Sequence, residues 1–289
     1  GDKMSSVLDI RYKQPQKFEA KASASLLGAS AFVGFSRKNF SWSNGIRYKT
    51  NRYLLGTLET KGEYKPNFLD YQTFLTYKPA KNWEISFIGD ISESHYNFTP
   101  EDRETKFGTM ESVRSFKVYF DGQEKDLFRT AFAAFSIKRS FGKNTNLKFT
   151  LSAFHTNEQE KYDIQGQYWL TQTETSENLG VGTYMEHARN YLKANVKSFN
   201  LAFEHKIKRH EIKTGLTYRI ESIKENSKEY EMRDSSGYSI PHTGEDLMMI
   251  YSLKAKNRLD ANRFEAYLQD TWKFSSKGEH TFFTLNYGI

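Results

Sequence analysis

The feature of this chain that most constrains its fold is an alternation of short and long connections between extended segments. Five tight polar turns are predicted, at residues 36–39, 79–82, 142–145, 208–210 and 275–279. At the opposite ends of the segments, the predicted connections run to about 15 to 30 residues each. The last four tight turns recur about 65 residues apart, which predicts that each repeated unit consists of two long strands and one large loop. We therefore expect a series of hairpins, each with one short end and one long end.

The extended segments alternate between apolar and polar residues with a period of two. In residues 83–92, Trp83, Ile85 and Phe87 fall on one face, and Ser86 falls on the other. The same pattern recurs in four further segments, at residues 40–49, 146–153, 211–221 and 263–274. A period of two is typical of a β-strand with two unlike faces.

Composition excludes some classes of protein. The chain has 289 residues, of which 37% are hydrophobic, and a mean hydropathy of -0.74. No segment approaches the ~18 consecutive apolar residues that a membrane-spanning helix needs, so a helical membrane protein is excluded. Aromatic residues make up 16% of the chain, which favours strands. The net charge of +7 comes from Lys and Arg spread along the chain beside 35 acidic residues, and without a basic block no nucleic-acid partner is expected.

Charged residues restrict where the polar faces of the strands can point. Lys148, Lys213 and Arg219 lie on the polar side of their strands. A Lys or Arg that faces lipid at the middle of a membrane costs about 2 to 4 kcal/mol. We therefore predict an antiparallel transmembrane β-barrel with a wet interior, short periplasmic turns and long extracellular loops. A soluble β-sandwich has the same alternation and is the alternative, although its strands are shorter.

Eleven strands are predicted from these patterns. They lie at residues 4–12, 17–35, 40–50, 67–79, 83–98, 127–140, 146–158, 187–206, 211–224, 258–275 and 281–289. The long loops are predicted at residues 51–66, 99–126, 159–186 and 225–257. Asp270 is a charged departure on an otherwise apolar face. Trp83, Phe141, Trp272 and Phe274 lie beside tight turns, where aromatic rings form either a girdle at the membrane surface or ordinary contacts between strands.

The candidate ligand-binding residues are aromatic side chains in the predicted loops. They are Tyr162, Tyr168, Trp169, Tyr230 and Tyr238. Two interpretations stay open, because such rings can stack against a ligand or pack the loop upon itself. The chain has seven His and no Cys, and it contains no HExxH, GxSxG or Walker motif. No enzymatic activity, cofactor or metal site is therefore predicted.

Four segments carry a resemblance to a known family. Residues 2–12, with the sequence DKMSSVLDIRY, resemble the junction where the plug of a TonB-dependent outer-membrane receptor gives way to its first barrel strand. Residues 24–30 (ASLLGAS) and 47–55 (RYKTNRYLL) are similar to early barrel strands of the Bacteroidetes branch of that family. Residues 179–192, which include LGVGT and EHARNYL, are similar to a later strand. The resemblance spans nearly the whole chain, and its motifs are structural rather than catalytic.

The resemblance implies a fold, a function and a set of partners. Residues 1–289 would be one partial domain, the first half of a barrel of about 22 strands. The plug and the segment that contacts TonB would precede it, and the remaining strands would follow it. The implied function is active transport of a scarce nutrient, such as a siderophore, cobalamin, an oligosaccharide or a peptide, across the bacterial outer membrane. The implied partners are outer-membrane lipid, the plug and missing strands, the TonB complex and a surface lipoprotein.

Two other functions stay open at this point. A passive porin-like barrel would share the same features and would lack a plug. A secreted soluble β-protein that binds glycans through its loop aromatics would need no membrane. Eleven strands cannot close alone as an even-numbered bacterial barrel, and open strand edges are not tolerated in hydrocarbon. For the membrane interpretations, we therefore expect the segment to pair with further sequence.

Overall fold

The computed structural model of this chain is all-β. It describes residues 10, 12–51, 62–109, 112–172, 177–235, 246–275 and 282–288. Within these ranges every helix or strand assigned is a strand. No helix in the described part of the chain is long and apolar enough to cross a membrane. The expectation of an all-β antiparallel fold is confirmed.

The strands vary widely in length. They are β1 (Glu19–Ser25), β2 (Gly28–Arg37), β3 (Phe40–Thr50), β4 (Gly62–Tyr64), β5 (Asn67–Tyr77), β6 (Trp83–Pro100), β7 (Arg103–Thr109), β8 (Ser112–Phe141), β9 (Thr145–Gln172), β10 (Glu177–Ile207), β11 (His210–Ser235), β12 (Met248–Ser275) and β13 (Phe282–Gly288). β10 has 31 residues, whereas a strand of a globular protein usually has about five or six residues.

The strands form one antiparallel sheet in which neighbours in sequence are neighbours in space. The order is β1-β2-β3-β5-β6-β8-β9-β10-β11-β12-β13, while β4 pairs with the end of β6 and β7 with the start of β8. Within the described ranges, no pairing joins β1 to β13, so the sheet is not closed. β1 and β13 are its two edges.

Four of the five predicted tight turns are confirmed. They connect β2 to β3, β5 to β6, β8 to β9 and β10 to β11. Lys38, Gly142 and Lys208 have φ angles of 50°, 67° and 53°, which are the left-handed conformations that tight hairpin turns require. The fifth turn, at 275–279, lies outside the described residues except for residue 275, as does most of the strand predicted at 4–12.

The prediction of a single strand over residues 17–35 is wrong. A turn at Leu26 and Leu27 divides this segment into β1 and β2. Gly28 has a φ of +133°, and a Cβ at this position would lie 2.1 Å from the carbonyl oxygen of Tyr48, so the close approach of the backbones requires glycine. This short turn lies at the end of the sheet where only long connections were expected. The strict alternation of short and long connections therefore fails here.

Three of the long loops are also wrong over most of their length. In the described parts of the segments predicted as loops at 99–126, 159–186 and 225–257, the strands β8 to β12 continue and stay paired, with register shifts at Gly180/Gly182 and Glu231/Met232. Residues 110–111, 173–176 and 236–245 of these segments lie outside the described residues. The prediction failed because it followed apolar alternation, and in these segments charged residues on both faces of the strands interrupt that alternation. Most of the fourth predicted loop, at 51–66, lies outside the described residues.

The sheet is a single layer with two unlike faces. The apolar face carries residues such as Phe35, Trp42 and Phe199, and the polar face carries residues such as Ser41 and Thr76. Among the described hydrophobic residues, only Val118 and Ala188 are buried. The described part of the chain thus has no second layer that covers the apolar face.

Burial differs between the two faces. Apart from Gly and Pro, ten described residues are buried, and only Ser115 lies on the apolar-face side. The other nine share the polar face, namely Ser41, Ser43, Asp70, Thr76, Val118, Asp126, Thr156, Ala188 and Ser227. On the apolar face, by contrast, Leu216 is 58% exposed and Phe264 is 79% exposed. Because side chains inside a curved sheet crowd one another, this distribution indicates that the sheet curves toward its polar face.

Candidate functional site

An apolar band crosses the sheet near the tight turns. One row of paired residues, which we call a level, runs through nine successive strands and is large and apolar at every position. Its members are Phe35, Trp42, Leu75, Phe87, Phe135, Leu151, Phe199, Tyr218 and Phe264. Each of these nine strands thus contributes a large apolar side chain to the band.

The band has a similar height on five of its strands. Alternate, mainly apolar positions occupy residues 40–48 of β3, 69–77 of β5, 83–91 of β6, 199–207 of β10 and 264–272 of β12. Each stretch covers nine residues. Asp270, the charged departure within the band, accepts a hydrogen bond from His210 Nδ1 at 2.6 Å, so its charge has a partner close to the turn.

The band is staggered relative to the hydrogen-bonded levels. One level connects Phe40 of β3 to Leu201 of β10. In β3 the tight turn adjoins Phe40, whereas in β10 the strand continues six residues past Leu201 to Ile207. The edge of the band that is far from the tight turns also shifts toward the turns, from Tyr48 in β3 to Phe199 in β10. A constant height with a drifting register is the geometry of tilted strands that cross a slab.

Aromatic and basic side chains lie at the turn end of the band. The Arg139 guanidinium lies over the rings of Trp83 and Phe141, at 4.9 and 4.6 Å from their centroids. Trp272 stacks on His210 with ring centroids 5.3 Å apart. Three of the aromatic residues predicted beside the tight turns therefore lie there with polar neighbours, while the side chain of Phe274 lies outside the described part.

Beyond the band, the strands β8 to β12 continue as strand extensions, whose polar face is acidic. Eight carboxylates gather on this face within four adjacent levels. This acidic cluster consists of Glu124, Asp126, Glu158, Glu160, Glu186, Glu225, Glu229 and Glu231. At these levels of β8 to β12, the polar face carries no Lys or Arg. Arg233, one level further away, pairs with Glu231.

A cavity of about 300 Å³ lies within the acidic cluster. Its lining includes Asp126, Glu158, Glu160, Asn190, Glu225 and Ser227. Asn190 Nδ2 donates to Glu160 Oε2 at 3.1 Å and to Glu229 Oε1 at 2.6 Å. Asp126 is only 9% exposed, and its Oδ1 atom has no hydrogen-bond partner, nor has Oδ1 of Asn190. Two acceptor oxygens in the cavity therefore lack a donor from the described part of the chain.

The electrostatics of the cluster favour uptake of positive charge. The pKa of Glu124 is raised to about 7, mainly because the group is buried and secondly because the charge of Asp126 is nearby. Burial also raises the pKa of Asp126, and burial followed by the charge of Glu231 raises the pKa of Glu186. Tyr162 lies among these carboxylates, and burial followed by the charge of Glu229 raises its pKa to about 12. Protons or other cations would relieve this repulsion.

The opposite face of the same extensions is basic. Ten cations lie on the apolar-face side within three adjacent levels and form what we call the basic belt. Its members are Lys125, Arg129, Lys161, Arg189, Lys193, Lys224, Lys228, Lys254, Lys256 and Arg258. Two levels, which carry Lys197 and Asp260 on this face, separate the belt from the row of Phe199. At these levels of β8 to β12, this face carries no Asp or Glu. The sheet is therefore polarised across its thickness, acidic on one side and basic on the other.

Only some members of the basic belt have partners in the described part of the chain. Arg129 pairs with Glu93 at 2.6 Å, Arg258 pairs with Asp260 at 2.6 Å, and Arg189 pairs with Asp163. The ammonium of Lys161 lies over the ring of Tyr191 at 5.4 Å. The other six, all Lys, form no ion pair with the described carboxylates. They are Lys125, Lys193, Lys224, Lys228, Lys254 and Lys256.

The predicted aromatic site residues do not come together. Those in the described part belong to β9 and β11 rather than to loops. Tyr162 and Tyr168 share the polar face with the acidic cluster, whereas Trp169 and Tyr230 lie on the opposite face. Tyr238 lies outside the described residues.

Neighbouring rings account for the positions of two of these aromatic residues. Tyr168 stacks on Phe116 and Tyr184, with centroid distances of 5.8 and 5.7 Å. Tyr230 stacks on His187 with a centroid distance of 4.4 Å. Packing thus explains these two rings, and Tyr162 is the predicted residue that lies next to the acidic cluster.

Sequence reasoning missed the acidic cluster, although a signal for it exists. In residues 224–231, KENSKEYE, Lys224 and Lys228 alternate with Glu225, Glu229 and Glu231. Lysines at even positions and glutamates at odd positions fall on opposite faces of a strand. An alternation of charge sign therefore predicts a polarised strand, just as an alternation of hydropathy predicts an amphipathic one.

The acidic cluster does not have the geometry of a metal centre. In the described part of the chain, no group of three or more His, Asp or Glu side chains could hold a metal ion. The carboxylates instead spread over four strands and several levels. Comparison with known proteins adds no identity, because no family model, no curated protein and no solved structure matches this chain.

Proposed function

We propose that this chain forms part of the wall of an outer-membrane β-barrel. The apolar band carries this proposal. Nine residues of strand measure about 27 Å, and a tilt of about 40° reduces this to a height of about 21 Å, close to the ~25 Å apolar band of such barrels. The stagger of the band across the sheet agrees with tilted strands that cross one slab of constant thickness.

Exposure of the apolar face supports the same proposal. Leu216 and Leu268, near the middle of the band, are 58% and 54% exposed. Burial of a side chain of this kind is favourable by about 1.5 to 3 kcal/mol, and soluble monomers rarely expose so wide an apolar patch. Acyl chains would cover this face without a second protein layer.

The basic belt lies beyond the band, on the side where lipid headgroups would lie. Lys residues at this depth keep their aliphatic stems against apolar surface while the ammonium group reaches the headgroups. Each Lys or Arg near an anionic membrane surface contributes about 1 kcal/mol to the attraction. The belt lies toward the end of the strands that is opposite the tight turns. We assign that end to the extracellular side.

We further propose that the barrel is a TonB-dependent receptor that transports a scarce nutrient actively. The resemblance of residues 2–12 to a junction between plug and barrel supports this step, and so do the two edges of the sheet, β1 and β13, which have no further partner among the described strands. Because hydrocarbon does not tolerate such edges, β1 and β13 would pair with further strands. The plug, the TonB complex and a surface lipoprotein would complete the receptor.

In this proposal, the chain contributes a wall and a recognition surface rather than catalysis. The strand extensions raise the acidic cluster above the membrane on the side that faces the barrel interior. A ligand that arrives from outside would meet this surface first.

Measurements of membrane association, uptake and stability in detergent-free buffer separate this proposal from the soluble alternative. The protein should co-sediment with outer membranes and should float with lipid vesicles. Uptake of its nutrient should stop in cells that lack the inner-membrane energising complex. A monodisperse monomer that melts cooperatively in detergent-free buffer would instead support the secreted soluble glycan binder.

A passive cation-selective pore is a second candidate, and the acidic cluster favours it. Rings of Asp and Glu are typical linings of cation channels. The two candidates differ in planar lipid bilayers, because a porin conducts steadily whereas a plugged receptor does not. Steady cation-selective conductance would contradict the receptor proposal and retain the barrel.

A further inference from the structure

Among the described residues, no Lys or Arg shares the four levels of the acidic cluster on the polar face of β8 to β12. Eight carboxylates share four levels of the polar face, and the nearest basic residue on that face, Arg233, pairs with one of them, Glu231. The basic belt cannot serve as the counter-charge, because successive side chains of a strand point to opposite faces and the backbone separates the two sets. Folding therefore brings like charges together, which is unfavourable unless something else neutralises them.

The cavity within the cluster supplies an independent observation. Asp126 is nine-tenths buried and lines this cavity. Its carboxyl group interacts with the Lys161 backbone N–H and the Glu124 side chain, yet its Oδ1 atom has no donor in the described part of the chain. A buried acceptor without a donor costs about 1 to 3 kcal/mol, and more when it is charged. Oδ1 of Asn190, also in the cavity lining, is in the same position. The site is therefore short of hydrogen-bond donors as well as of positive charge.

The arrangement of the carboxylates distinguishes between kinds of cation. Neighbouring strands lie about 4.8 Å apart, and alternate residues of a strand lie about 6.7 Å apart. Carboxylates at such spacings do not converge on one point, in agreement with the lack of a metal site in the described residues. They match a ligand whose charges are also spaced along its length.

Aromatic rings border the same surface. Tyr96 and Tyr162 lie on the polar face beside Asp126 and Glu124, and the hydroxyl of Tyr251 donates to Glu229 Oε2 at 3.2 Å. Tyrosine rings attract ammonium groups through their faces. The surface thus offers carboxylates for the charges of a ligand and rings for its ammonium groups.

We propose that the acidic cluster binds a linear organic polycation of the polyamine class. Ammonium groups of the ligand pair with the carboxylates of β8 to β11, and one of them donates to Asp126 Oδ1. That this polycation is the transported cargo rests on the proposed function, whereas the binding site itself does not. The cluster selects cationic ligands and disfavours anionic ones.

Calorimetric titration of the purified protein in detergent micelles with spermine at low ionic strength tests this inference. The wild-type protein should bind spermine, and the double variant Glu160→Gln/Glu225→Gln should bind it at least about tenfold more weakly. Glu84→Gln is the matched control, because Glu84 lies on the same face at the tight-turn end of β6. Its spermine affinity should equal that of the wild type. A second pair, Glu158→Gln/Glu229→Gln, replaces the first if that variant does not fold.

Several results would overturn the inference. They are a wild-type protein that does not bind spermine, a double variant that binds it as tightly as the wild type, and an equal loss in Glu84→Gln. Binding of neutral maltohexaose in place of spermine would also overturn it. If the protein floats with vesicles but does not bind spermine, the inference is wrong and the proposed function is retained. If it binds spermine but does not float, the proposed function is wrong and the inference is retained.

Discussion

The two halves of the sheet share one backbone pattern and differ in the chemistry of their faces. Near the tight turns, large apolar residues alternate with small polar ones, as in Phe199 and Asn200. In the strand extensions, basic residues alternate with acidic ones, as in Lys228 and Glu229. The pairing continues without interruption between the two regions. The environment of each face, rather than the backbone, therefore changes along these strands.

The extensions are not arranged for stability of the isolated sheet. One level of the basic belt places a cation on each of five consecutive strands, namely Lys125, Lys161, Arg189, Lys228 and Lys254. Like charges in directly opposite positions are destabilising. Such rows become favourable only when opposite charges come from outside the sheet. We therefore expect the band and the extensions to respond to different perturbations.

The largest effect is expected from a charge placed in the middle of the band. Leu216→Lys should lower the free energy of unfolding in lipid vesicles by about 2 to 4 kcal/mol, because the ammonium group would face hydrocarbon. Urea titration followed by tryptophan fluorescence measures this change. The control Thr217→Lys places the charge on the polar face and should lose only the hydrogen bond from Asn200 to Thr217, about 1 kcal/mol. Equal losses in the two variants would contradict a lipid-facing band.

Removal of charge from the basic belt should have a smaller effect that depends on lipid. The variant Lys228→Gln/Lys254→Gln should weaken vesicle binding by about 1 kcal/mol for each Lys when the headgroups are anionic. In zwitterionic vesicles the loss should vanish. Flotation of the protein with vesicles of the two compositions measures the difference. Lys148→Gln, on the polar face, should show no dependence on lipid, and an equal loss in both compositions would contradict contact between the belt and headgroups.

The extensions, but not the band, should lose stability as the pH rises. The pKa of Glu124 is raised to about 7 in the folded state, so folding takes up a proton there. The stabilising protonated form is fully present below the ordinary pKa of Glu, about 4.3, and is lost as the pH rises through about 7. The groups around Glu124 on its own strand and its neighbours are Tyr96, Phe98, Asp126, Glu160 and Tyr162.

Hydrogen exchange measures this pH dependence. After correction for the intrinsic rate, amides of the β8 and β9 extensions should exchange several-fold faster at pH 8 than at pH 5, while amides of the band should not change. Glu124→Gln should remove most of the dependence. If the band shows the same dependence as the extensions, the effect does not come from this cluster.

The smallest effect concerns the predicted aromatic residues. Tyr162→Leu should weaken binding of spermine by about 0.5 to 1 kcal/mol, since a cation–π contact of this size would be lost. Trp169→Leu should leave the affinity unchanged, because Trp169 lies on the opposite face. Titration of both variants compares the two faces directly. A loss in Trp169→Leu that matches the loss in Tyr162→Leu would contradict a site on the polar face.

The turns and the band could be predicted because each depends on local sequence. Gly142 supplies a left-handed conformation within a polar turn, and alternation from Trp83 to Ile91 places the apolar residues of β6 on one side. The turn at Leu26 and Leu27 could not be predicted from its residues. It depends on the close approach of Gly28 to the backbone of β3, which is a tertiary contact.

The candidate site was predicted less well than the fold. Tyr162 and Trp169 were grouped as loop aromatics, but an odd separation on a paired strand places them on opposite faces. The polar extensions lack the apolar alternation on which strand prediction relied. The carboxylates therefore looked like solvent-exposed loop residues instead of members of one surface.

The residues that share a face of each strand follow from the amino-acid order alone, because the side chains of an extended backbone alternate strictly. The same order also determined where most hairpins turn. Which residues of different strands lie at the same level is set by strand pairing in the folded sheet, because the register joins segments that are far apart in the chain. That register produces both the constant height of the apolar band and the meeting of Asp126, Glu160 and Glu225 in one cavity.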